Sequence, residues 1–437
     1  MTREVKKLAV VTLGCKVNQY DTDAVVTQFL DAGYTVVDFH EAADVYLINT
    51  CTVTNLGDRK SRQMIRRANK RNPQAKVVVM GCLAQTTPEE VAALPGVTLV
   101  VGTNGRGRIV EEIEALEWGD QRSLVEDIFR VTDFEDMPSL DFAGRTRATL
   151  KIQDGCNQFC TYCRVPFARG PSRSRTRRSV LEQAERIVAL GYKEIVLTGI
   201  HLGLYGQDLH PPLSLAQISR DIAETPGLLR LRISSVDPHE ITDELIDLVD
   251  QHPVVCRHMH IPLQSGSNDI LKRMKRNYSQ DDFRQIVHKL RHRIPDIAIT
   301  TDIMVGFPGE TDEDFQTTLD FAKEMAFSKI HVFQYSRRAG TAASRFPQQI
   351  PAGVKESRSR RLIEVGDTLA QSFHSSFAGK HAEVLVEQVV YGQAIGHADN
   401  YLKVSFSAGD KLDLVGEIVR VQVVAANVEG VSGNLVT

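Results

Sequence analysis

Largely apolar runs of five to eleven residues alternate along this chain with stretches in which apolar residues recur every three to four positions. In the first third, residues 7–13, 34–39, 44–50, 76–80 and 98–102 read as strands. Residues 18–32, 56–72 and 108–118 read as helices, the first closed by Gly33 and the second stopped by Pro73. This alternation predicts a parallel sheet of doubly wound α/β type. In such sheets ligands bind beyond the carboxyl ends of the strands.

The pattern breaks over residues 116–147, an acidic connector in which only residues 124–129 read as extended. Six extended runs then follow, at 148–154, 194–200, 229–236, 255–264, 297–307 and 329–336. Helical periods fall between and after them, at 179–190, 214–224, 242–251, 281–292, 313–325 and 354–377. Six strand-helix repeats are two short of a full eightfold barrel, so a partial (β/α)6 barrel is expected, with its chemistry at the C-terminal mouth. Beyond residue 377 the period drops to two and turn pairs such as Tyr391-Gly392 and Asp399-Asn400 recur, which predicts a small β-barrel. The expected divisions are 1–118, a connector at 119–147, the partial barrel at 148–377 and the small barrel at 378–437.

Composition adds little until charge is placed along the chain. Across 437 residues the formal charge is −3, with 42% hydrophobic and 24% charged residues, ordinary for a soluble globular protein. Seven basic residues lie between Arg59 and Arg71, and six arginines between Arg164 and Arg178, with no acid inside either run. Between Glu111 and Asp141 there are eleven acids and two arginines, so the near-neutral total conceals two basic surfaces and an acidic connector. Basic patches are the electrostatic footprint of a nucleic-acid partner, although a solvated helix face has the same composition. No apolar run approaches the roughly 18 residues that span a bilayer. Seven cysteines at this length form no disulfide scaffold and point to a reducing, cytoplasmic setting.

Three of those cysteines, Cys156, Cys160 and Cys163, are spaced C-x3-C-x2-C directly after an extended run, with Tyr162 just before the third. Iron-sulfur clusters with a complete protein shell use four cysteines, so three leave one iron open. A zinc site is the alternative, but it closes with four ligands, and no further Cys or His lies between Lys151 and Ile200. The spacing resembles the radical S-adenosylmethionine (SAM) superfamily, whose open iron chelates SAM. Cys15, Cys51 and Cys82 are distant in sequence, yet each follows a strand and precedes a helix. They can converge on one sheet edge as a second metal site, or be three unrelated buried residues. Thr198, Gly199, Ser234, Gln264 and Gly306 sit at strand ends of the expected barrel, where small and hydroxylated residues admit a nucleoside. Taken singly, each also reads as a turn. Cys256, His258 and His260 share one strand face and are read as packed lining rather than as ligands.

With these motifs placed, the chain resembles the methylthiotransferase family of radical SAM enzymes over nearly its full length. The runs His260-Ile261-Pro262-Leu263-Gln264-Ser265-Gly266-Ser267 and Gly306-Phe307-Pro308-Gly309-Glu310-Thr311 look like its signatures. The run from Thr12 to Asp21 is most similar to the subgroup acting on threonylcarbamoyladenosine at tRNA position 37. The resemblance implies two 4Fe-4S clusters, one on Cys156, Cys160 and Cys163 that cleaves SAM, and an auxiliary one on Cys15, Cys51 and Cys82. It further implies SAM contacts from Tyr162 and the strand-end residues, a tRNA anticodon loop as substrate, an electron donor such as flavodoxin or ferredoxin, a terminal TRAM domain and a monomer. Arg173, Arg175, Arg177 and Arg178 follow the cluster loop and are the expected phosphate contacts, with salt bridges to the acidic connector as the alternative. The terminal domain departs from an RNA-gripping pattern: residues 379–437 hold four basic residues against seven acidic ones. Isopentenyladenosine-37, a ribosomal-protein aspartate, or a non-catalytic metal-stabilised RNA-binding role are the competing readings.

Overall fold

The valine-rich runs of the first third form strands covered on both faces, which is why they carry almost no polar residues. The computed structural model describes residues 5–117, 119–137, 139, 144–409 and 413–436. Strands β1 (Lys7–Thr12), β2 (Thr35–Val37), β3 (Val45–Thr50), β4 (Lys76–Gly81), β5 (Val97–Val101) and β6 (Arg122–Ser123) make one parallel sheet in the order β2-β1-β3-β4-β5-β6. Helices α1 (Lys16–Asp31) and α5 (Ile109–Ala115) bury Val25, Phe29, Ile109 and Ile113 on one face. Helices α2 (Asn55–Arg71), α3 (Cys82–Thr86) and α4 (Pro88–Ala92) bury Ile65, Leu83 and Val91 on the other. The sheet is therefore doubly wound, as its pattern predicts.

The connector corrects one expectation. Residues 124–129 form no strand; β6 ends at Ser123, and Ile128–Arg130 is a 3-10 turn opened by Asp127, whose carboxylate accepts from the Phe129 N–H at 3.1 Å. An acidic cap at that position favours a turn over extended pairing. Leu124 and Val125 still pack on opposite faces of the sheet, which accounts for their strand-like alternation. Trp118, at the expected end of α5, lies outside the described residues.

The central unit begins with β7 (Ala148–Lys151), and β8 (Gln153–Asp154) pairs antiparallel with β9 (Arg173–Ser174) to clasp the base of the cysteine loop and α6 (Val165–Arg169). Then come α7 (Arg177–Ala189), β10 (Glu194–Thr198), α8 (Leu215–Ala223), β11 (Arg230–Ile233), α9 (Asp243–Gln251), β12 (His258–His260), α10 (Asn268–Met274), α11 (Gln280–Arg293), β13 (Ala298–Val305), α12 (Asp312–Met325), β14 (Lys329–Gln334) and α13 (Ala352–Ser375). Pairing is parallel throughout β7-β10-β11 and β12-β13-β14. Single bridges, Leu231 to Val255 and Ser235 to His260, join the two halves into one open barrel. Strand β12 is shorter than its apolar run because Pro262 has no N–H to pair and Gln264 turns the chain at φ 64°.

The last unit is a closed barrel, β15 (His381–Val390), β16 (Gln393–Ala398), β17 (Lys403–Ser407), β18 (Ile418–Asn427) and β19 (Gly430–Leu435), in the order β15-β16-β17-β19-β18. Phe373 and Phe377, at the end of α13 and just beyond it, pack with its core. Two arginines of β11 tie it down: Arg230 donates to His397 O at 3.0 Å and Arg232 to Asp399 O at 2.7 Å. These bonds bring the β16–β17 turn to the barrel mouth. No helix among the described residues is long and apolar enough to cross a membrane.

Candidate metal centres and the cavity between them

Two cysteine sets meet where the sheet edge faces the barrel mouth. On the sheet, Cys15, Cys51 and Cys82 directly follow the ends of β1, β3 and β4 or stand at the helix start beyond them. Gly14 and Gly81 make the approach possible. Gly14 has φ 112°, and a Cβ there would lie 2.9 Å from Asn18 Nδ2 and 3.1 Å from Cys51 Cβ. Gly81 has φ 96°, and a Cβ would meet Thr50 O at 2.7 Å. Asn18, fully buried, is the pin: its Nδ2 donates to Leu13 O at 2.7 Å and Thr50 O at 3.0 Å, and its Oδ1 lies 3.9 Å from Cys82 Sγ. Three chain segments are thereby held at one point.

In the barrel loop, backbone geometry aims a donor at two of the sulfurs. Gln158 N donates to Cys156 Sγ and Val165 N to Cys163 Sγ, both at 3.4 Å. Arg276 Nη1 donates to Cys160 Sγ at 3.3 Å while its Nη2 holds Asp237 at 2.5 Å. His201 Nδ1 lies 3.3 Å from Cys156 Sγ, and its Nε2 is 2.6 Å from Glu240 Oε1, an ionic contact not aligned as a hydrogen bond. Burial opposes charge on this imidazole, but its contacts with Cys156 and Glu240 raise its pKa to about 10. Gln153 fixes the loop base, donating to Gly155 O at 2.8 Å and accepting from the His201 N–H at 2.7 Å.

Three sulfurs in one loop, each with a donor or cationic side chain beside it, are a donor set that suits a thiolate-held cluster. Burial pushes Cys163 up to about 12 and Cys82 up to about 11, so the thiolate at either position needs a compensating cation. Hydrogen bonds to the loop sulfurs are the supporting contacts that tune thiolate-held clusters. Among the described residues no fourth cysteine joins either set; Cys256 is buried elsewhere, beside Arg232.

A buried ionic network locks the two sets together. Asp21 of α1 pairs with Arg106, with Lys151 Nζ at 2.8 Å and with Arg169 Nη1 at 2.8 Å. Asp154, two residues before Cys156, pairs with Lys151 at 2.6 Å and Arg169 at 3.0 Å. Arg169 Nη2 reaches Asn18 Oδ1 at 2.6 Å. Burial disfavours charge on Asp21, yet Arg106, Lys151 and Arg169 hold its carboxyl below the usual range.

Between the sets lies a cavity of about 1190 Å³, lined by Cys15 on one side and by Cys156, Cys160 and Cys163 on another. That exceeds the several hundred Å³ of a drug-sized pocket, leaving space for a cofactor and part of a larger substrate. Tyr162, Thr198, Gly199 and Ser234 line it. Gln264 and Gly306 do not: Gln264 turns the chain after β12, and Gly306 donates its N–H to Glu310 Oε2 at 2.7 Å beneath α13. His258 and His260 line the wall and share Thr300 Oγ1, at 3.0 and 2.9 Å.

The arginine run after the loop corrects a second expectation. Arg173 and Arg175 are each 2% exposed. Arg173 Nη1 donates to Arg169 O and Pro171 O, and Arg175 pairs with Asp136 of the connector at 2.7 Å. Burial with local partners removes both from the reach of a phosphate. Arg177 and Arg178 are exposed but engaged with Asp221 and Glu182. On α2, by contrast, Arg59, Lys60, Arg66, Arg67, Lys70 and Arg71 are exposed and have no ion-pair partner among the described residues. The sequence does not single out His201, Arg276 or Gln153. Only His201 left a signal there, one residue past the strand-end run Thr198-Gly199-Ile200.

A partial barrel with a three-cysteine loop at its mouth defines a radical SAM enzyme, which uses SAM and a 4Fe-4S cluster. Residues 150–322 match the radical SAM superfamily and residues 7–102 the uncharacterized protein family UPF0004. The chain is 45% identical over 423 residues to the threonylcarbamoyladenosine tRNA methylthiotransferase MtaB of Bacillus subtilis, covering 95% of this chain and 93% of that one. It is 32% identical to the tRNA-2-methylthio-N(6)-dimethylallyladenosine synthase of Clostridium novyi, covering 99% and 97%. The chain belongs to the radical SAM methylthiotransferase family, and it is a transferase. In fold it is similar to the radical SAM methyltransferase TsrM of Kitasatospora setae, with TM-score 0.58 at 16% identity over 90% of this chain and 81% of that one.

Proposed function

We propose that this enzyme acts on tRNA, converting N6-threonylcarbamoyladenosine at position 37 of the anticodon loop to its 2-methylthio derivative. The observation that carries the reading is one cavity lined by all three cysteines of the loop set and by Cys15 of the sheet set. Cys156, Cys160 and Cys163 hold the cluster that binds SAM, and Cys15, Cys51 and Cys82 hold an auxiliary cluster. When bound, these groups supply the reductive cleavage of SAM and the sulfur and methyl transferred to carbon 2 of the adenine. The protein's part is placement and exclusion of water. Tyr162, Thr198, Gly199 and Ser234 line the SAM side of the cavity, and His201 and Arg276 orient the thiolates they touch.

The identity of 45% to a threonylcarbamoyladenosine enzyme against 32% to a dimethylallyladenosine one supports this substrate over isopentenyladenosine. The exposed cations of α2 are the proposed phosphate contacts, since an anticodon loop combines a charged backbone with splayed bases. A cytoplasmic monomer reduced by a flavodoxin or ferredoxin completes the proposal. Nucleoside mass spectrometry of tRNA from cells with and without the gene tests it. Loss of 2-methylthio-threonylcarbamoyladenosine is expected; loss only of the methylthio-isopentenyl nucleoside would overturn the substrate.

A further inference from the structure

The cavity wall carries cations of two kinds. Arg232 and Arg276 are spent on Glu194 and Asp237, whereas the ammonium groups of Lys16, Lys329 and Lys403 have no hydrogen-bond or ion-pair partner among the described residues. Lys16 stands apart by position. It follows Cys15 directly and is an exposed residue lining the cavity on the sheet side, where no acid among the described residues engages it. Its charge is felt across the cavity: burial disfavours ionisation of the Tyr401 phenol, yet Lys16, Arg147 and Arg232 hold it below its ordinary value.

Tyr401 is itself unusual. Its φ is 65°, a region that a bulky side chain enters only when its surroundings demand it. Those surroundings are the guanidinium groups of Arg232 at 4.4 Å and Arg147 at 5.4 Å from the ring centroid, and the rings of His258 at 4.8 Å and His397 at 5.3 Å. The strained turn thus holds the phenol at the mouth from the small-barrel side, in the same cavity that Lys16 lines.

We infer that Lys16, with the Tyr401 hydroxyl, forms the subsite for the carboxylate of the threonylcarbamoyl group, and that Lys16 is the specificity-determining residue between anionic and apolar N6 substituents. This rests on the proposed substrate. An isopentenyl group offers the ammonium nothing and would strip its water without return. A carboxylate converts the same ammonium into a charge-assisted pair. Sites built around such a polar contact reject analogues that lack it.

The test compares anticodon stem-loops carrying threonylcarbamoyladenosine or its threonine-carboxamide analogue at position 37. Equilibrium binding to the cluster-loaded protein is measured at fixed salt, with iron content as the check on folding. The native protein is expected to favour the carboxylate loop over the carboxamide by about tenfold or more. Lys16→Gln should bring that ratio close to one, and Lys16→Arg should keep most of it. Tyr401→Phe should lower it by about threefold. A Lys16→Gln protein with normal iron and the native ratio would overturn the subsite. If the native enzyme methylthiolates the threonylcarbamoyl loop while that ratio is unmoved, only the subsite falls. If it methylthiolates an isopentenyladenosine loop instead, the subsite and the proposed substrate fall together.

Discussion

Cys156, Cys160 and Cys163 occupy eight residues of one loop, whereas Cys15, Cys51 and Cys82 arrive from three strand ends spread over 68 residues. The loop set draws part of its support from its own backbone, Gln158 and Val165 donating to its sulfurs within two residues of the ligand, and part from the distant Arg276 and His201. The sheet set depends on tertiary structure, namely two glycines at positive φ and one buried asparagine that ties strand ends together. The contrast teaches that a local ligand set is brought together by its own spacing, while a non-local one is only as sound as the sheet that presents it.

The largest expected effects come from removing ligands. Cys160→Ala should abolish SAM cleavage, measured as 5′-deoxyadenosine release. Cys51→Ala should leave cleavage measurable while methylthio transfer stops. Equal loss of cleavage in both variants would erase the division of labour between the two sets.

Disturbing what joins the sets comes next. Asp21→Asn leaves Arg106, Lys151 and Arg169 short of a carboxylate, and removing one partner of a buried ion pair typically costs about 3–5 kcal/mol. The sign with pH follows from the direction of the shift. A carboxyl held below its ordinary value stabilises the fold above a pH of about 4, and that stability is lost as pH falls through the folded-state value. Thermal midpoints across acid pH should therefore drop more steeply for the native protein than for Asp21→Asn. Parallel profiles would show that Asp21 is not charged in the fold.

The smallest effect concerns the basic surfaces flanking each set. Replacing Arg66 and Arg67 of α2 by alanine should flatten the salt dependence of tRNA binding by about one unit of log-log slope for each phosphate that the protein then leaves un-neutralised. Replacing Arg177 and Arg178, already engaged with Asp221 and Glu182, should change that slope less. The reverse order would move the tRNA path to the barrel side.

The chain announced its architecture because periodicity and burial coincide: β3 is buried at every position, and the small barrel alternates as a closed sheet must. Both cysteine sets were legible for different reasons, spacing in the loop and equivalent strand-end positions on the sheet. The arginines were not, because a run of like charge says nothing of where its counter-ions lie. Asp136, which takes Arg175, is 39 residues away in sequence. Arg276 was equally invisible, since the turn that carries it toward Cys160 follows the seven-residue α10 and is made by Lys275 at φ 61°. Tyr401 reached the cavity only through arginines of another domain.

Iron and acid-labile sulfide analysis of anaerobically reconstituted protein tests the pairing of the two sets most directly. About eight irons per chain are expected for the native protein, and about four when Cys15, Cys51 and Cys82 are all replaced by alanine. Stoichiometric zinc, or an iron content unmoved by the triple replacement, would contradict the account.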